Sequence, residues 1–188
     1  LKKIKKNFEN HFILSKGHAC LAYYAVLNQL KLISDEKMLT FEGDGSDLLG
    51  HPVKNNDMSI HFSTGSLGMG LSIGIGLAIA SKRKNNKKNI YVVMGDGECN
   101  EGSVWEAALA ASHHKLDNIF FIIDNNGFQQ TGTNKDILDT SNLEKKWESL
   151  DWNVDKGNGH DPEILLKFLN ENLKEKNKPN VLIAKTIK

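Results

Sequence analysis

Two short polar clusters stand directly after apolar runs, and each ends in residues able to hold an ion. Ile90, Tyr91, Val92, Val93 and Met94 run into Gly95-Asp96-Gly97, and Ile119 to Ile123 run into Asp124-Asn125-Asn126-Gly127. Asp96 offers a hard anionic oxygen and Asn126 a neutral carbonyl oxygen. Magnesium takes one or two such protein ligands and completes its octahedron with phosphate oxygens and water. Gly97, lacking a Cβ, lets a phosphate come close to the backbone. A helix expected to start near Asn100 aims its positive end at the same region. Taken singly, Gly-Asp-Gly or Asn-Asn-Gly is a common turn. A second Gly-Asp-Gly, Gly43-Asp44-Gly45, follows no apolar run and reads as a turn only.

The supporting elements decide between turn and site. Both apolar runs are continuously hydrophobic, as buried parallel strands are. Between them Val104, Ala107, Ala108 and Ala111 share one helical face at the i, i+3, i+4, i+7 spacing. Strand, helix and strand make a βαβ unit, which places ligands outside the carboxyl ends of its strands. Asp96 and Asn126 are therefore expected to meet. Around this unit the pattern predicts a short strand over 12–14 and a helix over about 19–32. A polar connection follows, anchored by Leu39 and Phe41. A helix reaching Lys82 carries a stripe of small residues, Gly70, Gly74 and Ala78. Glycine costs about 1 kcal/mol against alanine in a helix, so close packing against a helix or backbone is expected there, or else a central core position. Later come a helix over 143–150 anchored by Trp147 and a strand at 152–154. Asp161-Pro162 caps a helix buried through Leu165, Phe168, Leu169 and Leu173, and a last strand covers 181–184. The expectation is a single α/β domain over 1–188, with a mostly parallel sheet and helices on both faces.

Composition narrows the function classes. The chain has 188 residues, 39% hydrophobic and 25% charged, with Lys+Arg 24 against Asp+Glu 23 and a net charge of +1. That balance argues against a dedicated nucleic-acid or membrane-surface protein. The most apolar stretch, 67–80, is too short and too rich in glycine to span a bilayer. Cys20 and Cys99 form no paired motif, and no leader pattern opens the sequence, so a reducing cytoplasm is expected. Arg83 is the only arginine, which leaves bidentate arginine clamps on phosphate nearly unavailable. No Gly-x-Gly-x-x-Gly occurs, which disfavours a dinucleotide-binding domain.

Gly95-Asp96-Gly97, a helix and then Asn125-Asn126 resembles the thiamine diphosphate motif. Glu101-Gly102, Glu106-Ala107 and Leu116-Asp117-Asn118 resemble one branch of that superfamily, the transketolases. Three further segments are similar to transketolase loops: Ser15-Lys16-Gly17-His18, Gly50-His51-Pro52, and Ser63-Thr64-Gly65-Ser66-Leu67-Gly68. The resemblance covers 12–188. It implies that Asp96 and Asn126 bind magnesium, or calcium or manganese in its place, with the backbone carbonyl of Phe128 as a third ligand. It implies a bond from the Gly97 amide to the diphosphate and contact of His18 with the same group. Gly65 and Ser66 would lie along the aminopyrimidine through their backbone, with the Gly65 carbonyl accepting from its exocyclic amine and Leu67 packing on the ring. His51 would line the substrate channel, and Glu101 would be an interface carboxylate near the cofactor. Without the resemblance, His18 and His51 read as polar turn residues, and Glu101 as a first-turn carboxylate suited to the helix dipole.

The resemblance implies transfer of a two-carbon ketol unit from a ketose to an aldose, with thiamine diphosphate as the electron sink. Three family features are lacking: the pyrimidine-binding domain with its activating glutamate, a histidine region after the last strand, and an N-terminal histidine-bearing segment. The expected protein is thus a split transketolase subunit, or a fragment, holding half an active site. A pyrimidine-domain subunit would complete it, this chain would pair with a copy of itself in the larger assembly, and sugar phosphates would be substrates. Other readings are a deoxyxylulose-phosphate synthase-like or 2-oxo acid dehydrogenase alpha-like subunit, and a non-catalytic regulatory module that kept the fold.

Overall fold

The two apolar runs become neighbouring strands, and the rest of the chain is wound around them. The structure is a computed structural model and describes residues 10–86, 88–170 and 176–188. In chain order the elements are β1 (His11–Leu14), α1 (Cys20–Gln29), α2 (Asp35–Met38), α3 (Met69–Arg83), β2 (Ile90–Gly95), α4 (Gly102–His113) and β3 (Ile119–Asn125). Then follow β4 (Phe128–Gln129), β5 (Gly132–Thr133), α5 (Asn134–Ile137), α6 (Leu143–Ser149), β6 (Asn153–Asn158), α7 (Pro162–Asn170) and β7 (Asn180–Lys185). Single 3-10 turns, Gly17–Ala19 and Gly97–Asn100, precede α1 and α4. Five strands form one sheet in the order β1-β2-β3-β7-β6, every pair parallel, and β4 and β5 make a small antiparallel hairpin.

Helices lie on both faces of the sheet. On one face α3, α4 and α6 cover Ile90, Val92 and Met94 of β2 together with Ile119, Phe121 and Ile123 of β3, all fully buried. Trp147 of α6 anchors this layer, with ring centroids 5.1, 5.0 and 4.8 Å from Trp105, Phe121 and Trp152. On the other face Leu165, Phe168 and Leu169 of α7 pack over Phe120, Ile122 and Leu182. Leu173 lies outside the described residues. β2 alternates between buried and half-buried positions instead of being buried throughout, because on that face Tyr91 packs against the α7 layer while Val93 lies outside it. A separate cluster joins Tyr24 and Leu27 of α1 to Ile33, Leu48, Met58 and Ile60. Phe41 packs on it, edge to face with Tyr24 at 6.0 Å. The other expected anchor, Leu39, is 88% exposed: it follows a four-residue helix with no buried residue. α1 is shorter than expected, since Lys31 takes a left-handed conformation (φ 62°) just past its end.

The glycine stripe of α3 faces the sheet. A Cβ on Gly74 would sit 2.8 Å from Val92 Cγ2, and one on Gly70 would meet the Ser15 side chain and lie 2.9 Å from Ser15 Cα. The helix therefore approaches β1 and β2 more closely than side chains permit. Gly76, on the exposed side of the same helix, meets nothing within 4 Å. Gly70→Ala should destabilise the fold by about 1–3 kcal/mol through overpacking. Gly76→Ala should stabilise it by about 0.5–1 kcal/mol through helix propensity alone. Urea unfolding of both variants checks the contrast, and equal effects would contradict it.

Candidate active site

The segments around Lys16, His51, Gly65, Asp96 and Asn126 come together at the carboxyl edge of the sheet, whereas Leu116-Asp117-Asn118 lies at its amino edge and Glu106-Ala107 within α4. β2 and β3 are adjacent and in register, with Gly95 opposite Asp124, and the pairing continues beyond the strand as Asp96 N–H donates to the Asp124 carbonyl at 3.1 Å. Asp96 is 1% exposed. One of its oxygens accepts from the Gly97 amide at 2.8 Å. The other accepts from the Gly127 amide and from Asn134 Nδ2, both at 2.7 Å. Gly127 follows Asn126 directly, so the backbone beside Asn126 is hydrogen-bonded to Asp96. Asn126 Oδ1 accepts from the Phe128 amide at 2.9 Å, which closes the turn into the β4–β5 hairpin. A Cβ on Gly97 would lie 2.7 Å from Gln129 Cγ of that hairpin. The backbone at Gly97 is thus boxed in by the segment that carries Phe128.

The histidine-bearing segments meet beside this turn. A Cβ on Gly17 would lie 2.9 Å from His51 Cδ2 and 3.0 Å from the Gly65 nitrogen. Gly17, His51 and Gly65 therefore fill one small space, and Gly65 adopts φ +146°, which only glycine takes readily. The Thr64 amide donates to the Pro52 carbonyl at 3.0 Å, tying the 63–68 loop to the His51 segment. Ser66 is exposed, Leu67 is half-buried, and both precede α3. His18 stands in the turn that opens α1. Although the residue is exposed overall, partial desolvation of its ring, then Lys16, His51 and Lys188 nearby, lower the imidazole pKa from its ordinary value. A neutral ring keeps one N–H to donate and one nitrogen to accept. Glu101 is not in the first turn of α4. It is the exposed residue at the N-cap, makes no capping bond, and rests its Cβ against Gly68.

Several polar residues that sequence patterning does not single out hold the site together. Lys16 is buried and pairs with Asp124, which also accepts from the Thr186 hydroxyl. Glu98, 3% exposed, accepts from Ser15 Oγ at 2.5 Å and the Gly68 amide at 2.7 Å. Asn134, from the polar stretch after the hairpin, bonds Asp96 and Thr140. Only the Asp-Asn-Asn-Gly run and the Ser-Lys-Gly-His run give any hint of Asp124 and Lys16. Nothing local marks Glu98 or Asn134. Two clefts of about 460 Å³ each open along the same edge and share Asn125, Lys156 and Ile183.

The donor set suits a diphosphate held through a divalent ion. A carboxylate has about four acceptor sites, and Asp96 uses three, which leaves one for a metal. Among the described residues no three His, Cys, Asp or Glu side chains gather into a metal cage. A site of one carboxylate, one amide oxygen and one backbone carbonyl relies on ligand phosphates and water to finish the shell, as magnesium sites do.

The Lys16–Asp124 pair carries a pH signature. Burial pushes the Asp124 carboxyl up, but the bonds from Lys16 and Thr186 more than offset this, so it titrates below the ordinary carboxylate range. A carboxyl lowered by folding stabilises the native state above its unfolded value, and that contribution disappears as pH falls through the folded value. Melting temperatures of the wild type and Asp124→Asn should therefore converge as pH drops from about 5 to about 2. A gap that stays constant over that range would remove the ion pair as its source.

The thiamine diphosphate binding domain of transketolase, as a family model, matches residues 5–188. The chain is 44% identical over 177 residues to a subunit of apulose-4-phosphate transketolase from Actinobacillus succinogenes, covering 94% of this chain and 64% of that protein. The same-named protein of Phocaeicola vulgatus is 38% identical over 186 residues, covering 99% and 66%. The chain thus spans slightly less than two thirds of these relatives. Among solved structures, transketolase from Campylobacter jejuni superposes with a TM-score of 0.83 at 31% identity, covering 94% of this chain and 29% of that one. Transketolase from Leishmania mexicana gives 0.84 at 28%, covering 94% and 28%. With motifs, sheet order and these similarities in agreement, the chain belongs to the transketolase family, as its thiamine diphosphate binding domain.

Proposed function

We propose that this chain is the diphosphate-binding half of a two-component transketolase that moves a two-carbon ketol unit from a ketose to an aldose. The observation that carries the reading is the bond from the Gly127 amide to Asp96, which ties the acid to the residue next to Asn126 at adjoining strand ends. Asp96 and Asn126, with the Phe128 carbonyl, would hold magnesium, or calcium or manganese in its place. The Gly97 amide and His18 would take the diphosphate. The Gly65 and Ser66 backbone with Leu67 would meet the aminopyrimidine. When bound, thiamine diphosphate supplies the electron sink for breaking and making the carbon–carbon bond. His51, packed on Gly17 and Gly65, would then face the sugar, where an imidazole can bond a hydroxyl or pass a proton. Glu101, exposed at the N-cap of α4, would meet a neighbouring chain.

Both apulose-4-phosphate transketolase relatives are named as one subunit of a larger enzyme, which supports a partner that brings the pyrimidine-binding domain. The sugar phosphate in their names supports sugar phosphates as the substrate class, within carbohydrate metabolism such as the pentose phosphate route. Pairing of this chain with a copy of itself belongs to the same proposal, as does a place in the reducing cytoplasm. Cys20 and Cys99 are both free and buried, and no helix among the described residues is long and apolar enough to cross a membrane.

The chain purified alone should bind thiamine diphosphate weakly and give no turnover. Adding the pyrimidine-domain subunit should restore both, and Asp96→Ala in that complex should cost about a hundredfold or more in turnover. Calorimetry with and without EDTA should show cofactor affinity depending on the metal in the wild type and hardly at all in Asp96→Ala. Substantial turnover by the rigorously purified single chain would refute the split site.

A further inference from the structure

A carboxylate buried in the floor of the site has no part in the scheme above. Glu98 sits in the 3-10 turn after Asp96, and its side chain is enclosed by protein. Oε1 accepts from Ser15 Oγ at 2.5 Å and from the Gly68 amide at 2.7 Å, and Oε2 accepts from the Gly95 amide at 3.3 Å. These donors come from three places: the turn after β1 that leads to His18, the end of the 63–68 loop, and the end of β2. Each belongs to a segment that the proposed site uses.

The position has its own physical logic. Gly68 is the N-cap of α3, in a left-handed conformation (φ +81°) and without a side chain to cap the helix. The amide groups at a helix start lack intrahelical acceptors and favour negative charge. Glu98 supplies that acceptor from another part of the chain. Burial of the carboxyl pushes it above its ordinary range, against the bonds from Ser15, Gly68 and Gly95 and the charge of Lys16. A buried acid is costly unless its oxygens are satisfied, and here three donors converge on it. Ser15 is itself hemmed in, because its side chain packs directly on the bare backbone of Gly70 in α3.

We infer that Glu98 is a positioning residue for the cofactor cradle: it fixes the 63–68 loop against the β1 turn and the end of β2, so that Gly65 stays packed on His51 and Gly17. This rests on the proposed assignment of that loop to the aminopyrimidine. Apart from His18, the diphosphate contacts depend on Asp96, Gly97 and the hairpin, which have their own bonds from Gly127 and Asn134. Loss of Glu98 therefore loosens the aminopyrimidine end of the cofactor more than the diphosphate end.

The variants are Glu98→Ala, which removes all three acceptor contacts, and Glu98→Gln, which keeps an oxygen for Ser15 and Gly68 but turns an N–H toward the Gly95 amide. In complex with the pyrimidine-domain subunit, Glu98→Ala should lose about tenfold or more in affinity for thiamine diphosphate, while magnesium pyrophosphate binds within about twofold of wild type. Glu98→Gln should recover most of the loss. In the cofactor-free chain, amide hydrogen exchange at 64–68 should quicken by about tenfold in Glu98→Ala relative to wild type, with β3 and residues 90–94 of β2 unchanged. Equal losses for thiamine diphosphate and pyrophosphate, or unchanged exchange in the loop, would overturn the inference. If wild type binds no thiamine diphosphate, the assignment of the site fails, and the exchange arm still decides whether Glu98 holds the loop. If Glu98→Ala does not fold, Ser15→Ala, which removes the β1-turn contact to Glu98, is compared with wild type in the same assays, and exchange and affinity both at wild-type values would overturn the inference.

Discussion

Everything at the site depends on the register between β2 and β3. Ile90 pairs with Ile119, Val92 with Phe121 and Met94 with Ile123, so that all these side chains point into the layer under α3 and α4. A slip of one residue would drive Tyr91, Val93 and their partners into that layer and turn the core set outward. The same register sets Gly95 opposite Asp124 and carries Asp96 to within one hydrogen bond of the residue after Asn126. Hydrophobic packing in the middle of the sheet thus determines where two oxygen donors lie at its edge.

The charges at the strand ends are arranged with restraint. Asp96 is surrounded by N–H dipoles and has no cation paired to it among the described residues. Lys16, a buried ammonium at the same edge, is already committed to Asp124. Partial desolvation and the cations around it lower the pKa of His18. The acid is therefore left as the local negative centre, held in one orientation but not neutralised. That is the state in which a divalent ion gains most from binding to it.

How much of this can be read from the sequence follows from the range of each interaction. The central βαβ unit is legible because apolar runs, a helical face and the residues ending the strands are all local patterns. So are Trp147 as an anchor and the glycine stripe of α3. The resemblance adds His18, His51 and the 63–68 loop, whose glycine and histidine the structure does gather around Gly17. The Ser15–Glu98 and Lys16–Asp124 contacts join residues 83 and 108 positions apart, and no periodicity announces such pairs. Asn134 is hidden in a polar stretch where every residue looks solvated. Leu39 departs from expectation because hydrophobicity alone does not say whether a short turn reaches the core. The half-covered face of β2 does so because a run of five apolar residues says nothing of how far the opposite helix extends.

β1 brings a different consequence. It is a four-residue strand at the sheet margin, hydrogen-bonded to β2 alone among the described strands. Ser15, Lys16, Gly17 and His18 are carried on its end, so the contacts of this segment with Glu98, Asp124 and His51 form only when the strand docks. Those contacts close long loops and add little until the central strands are in place. The cradle thus depends on the docking of one marginal strand, and subglobal opening of that margin would take it apart while the β2-β3-β7 centre stays folded. Competence to bind is a less stable property of this chain than its native fold.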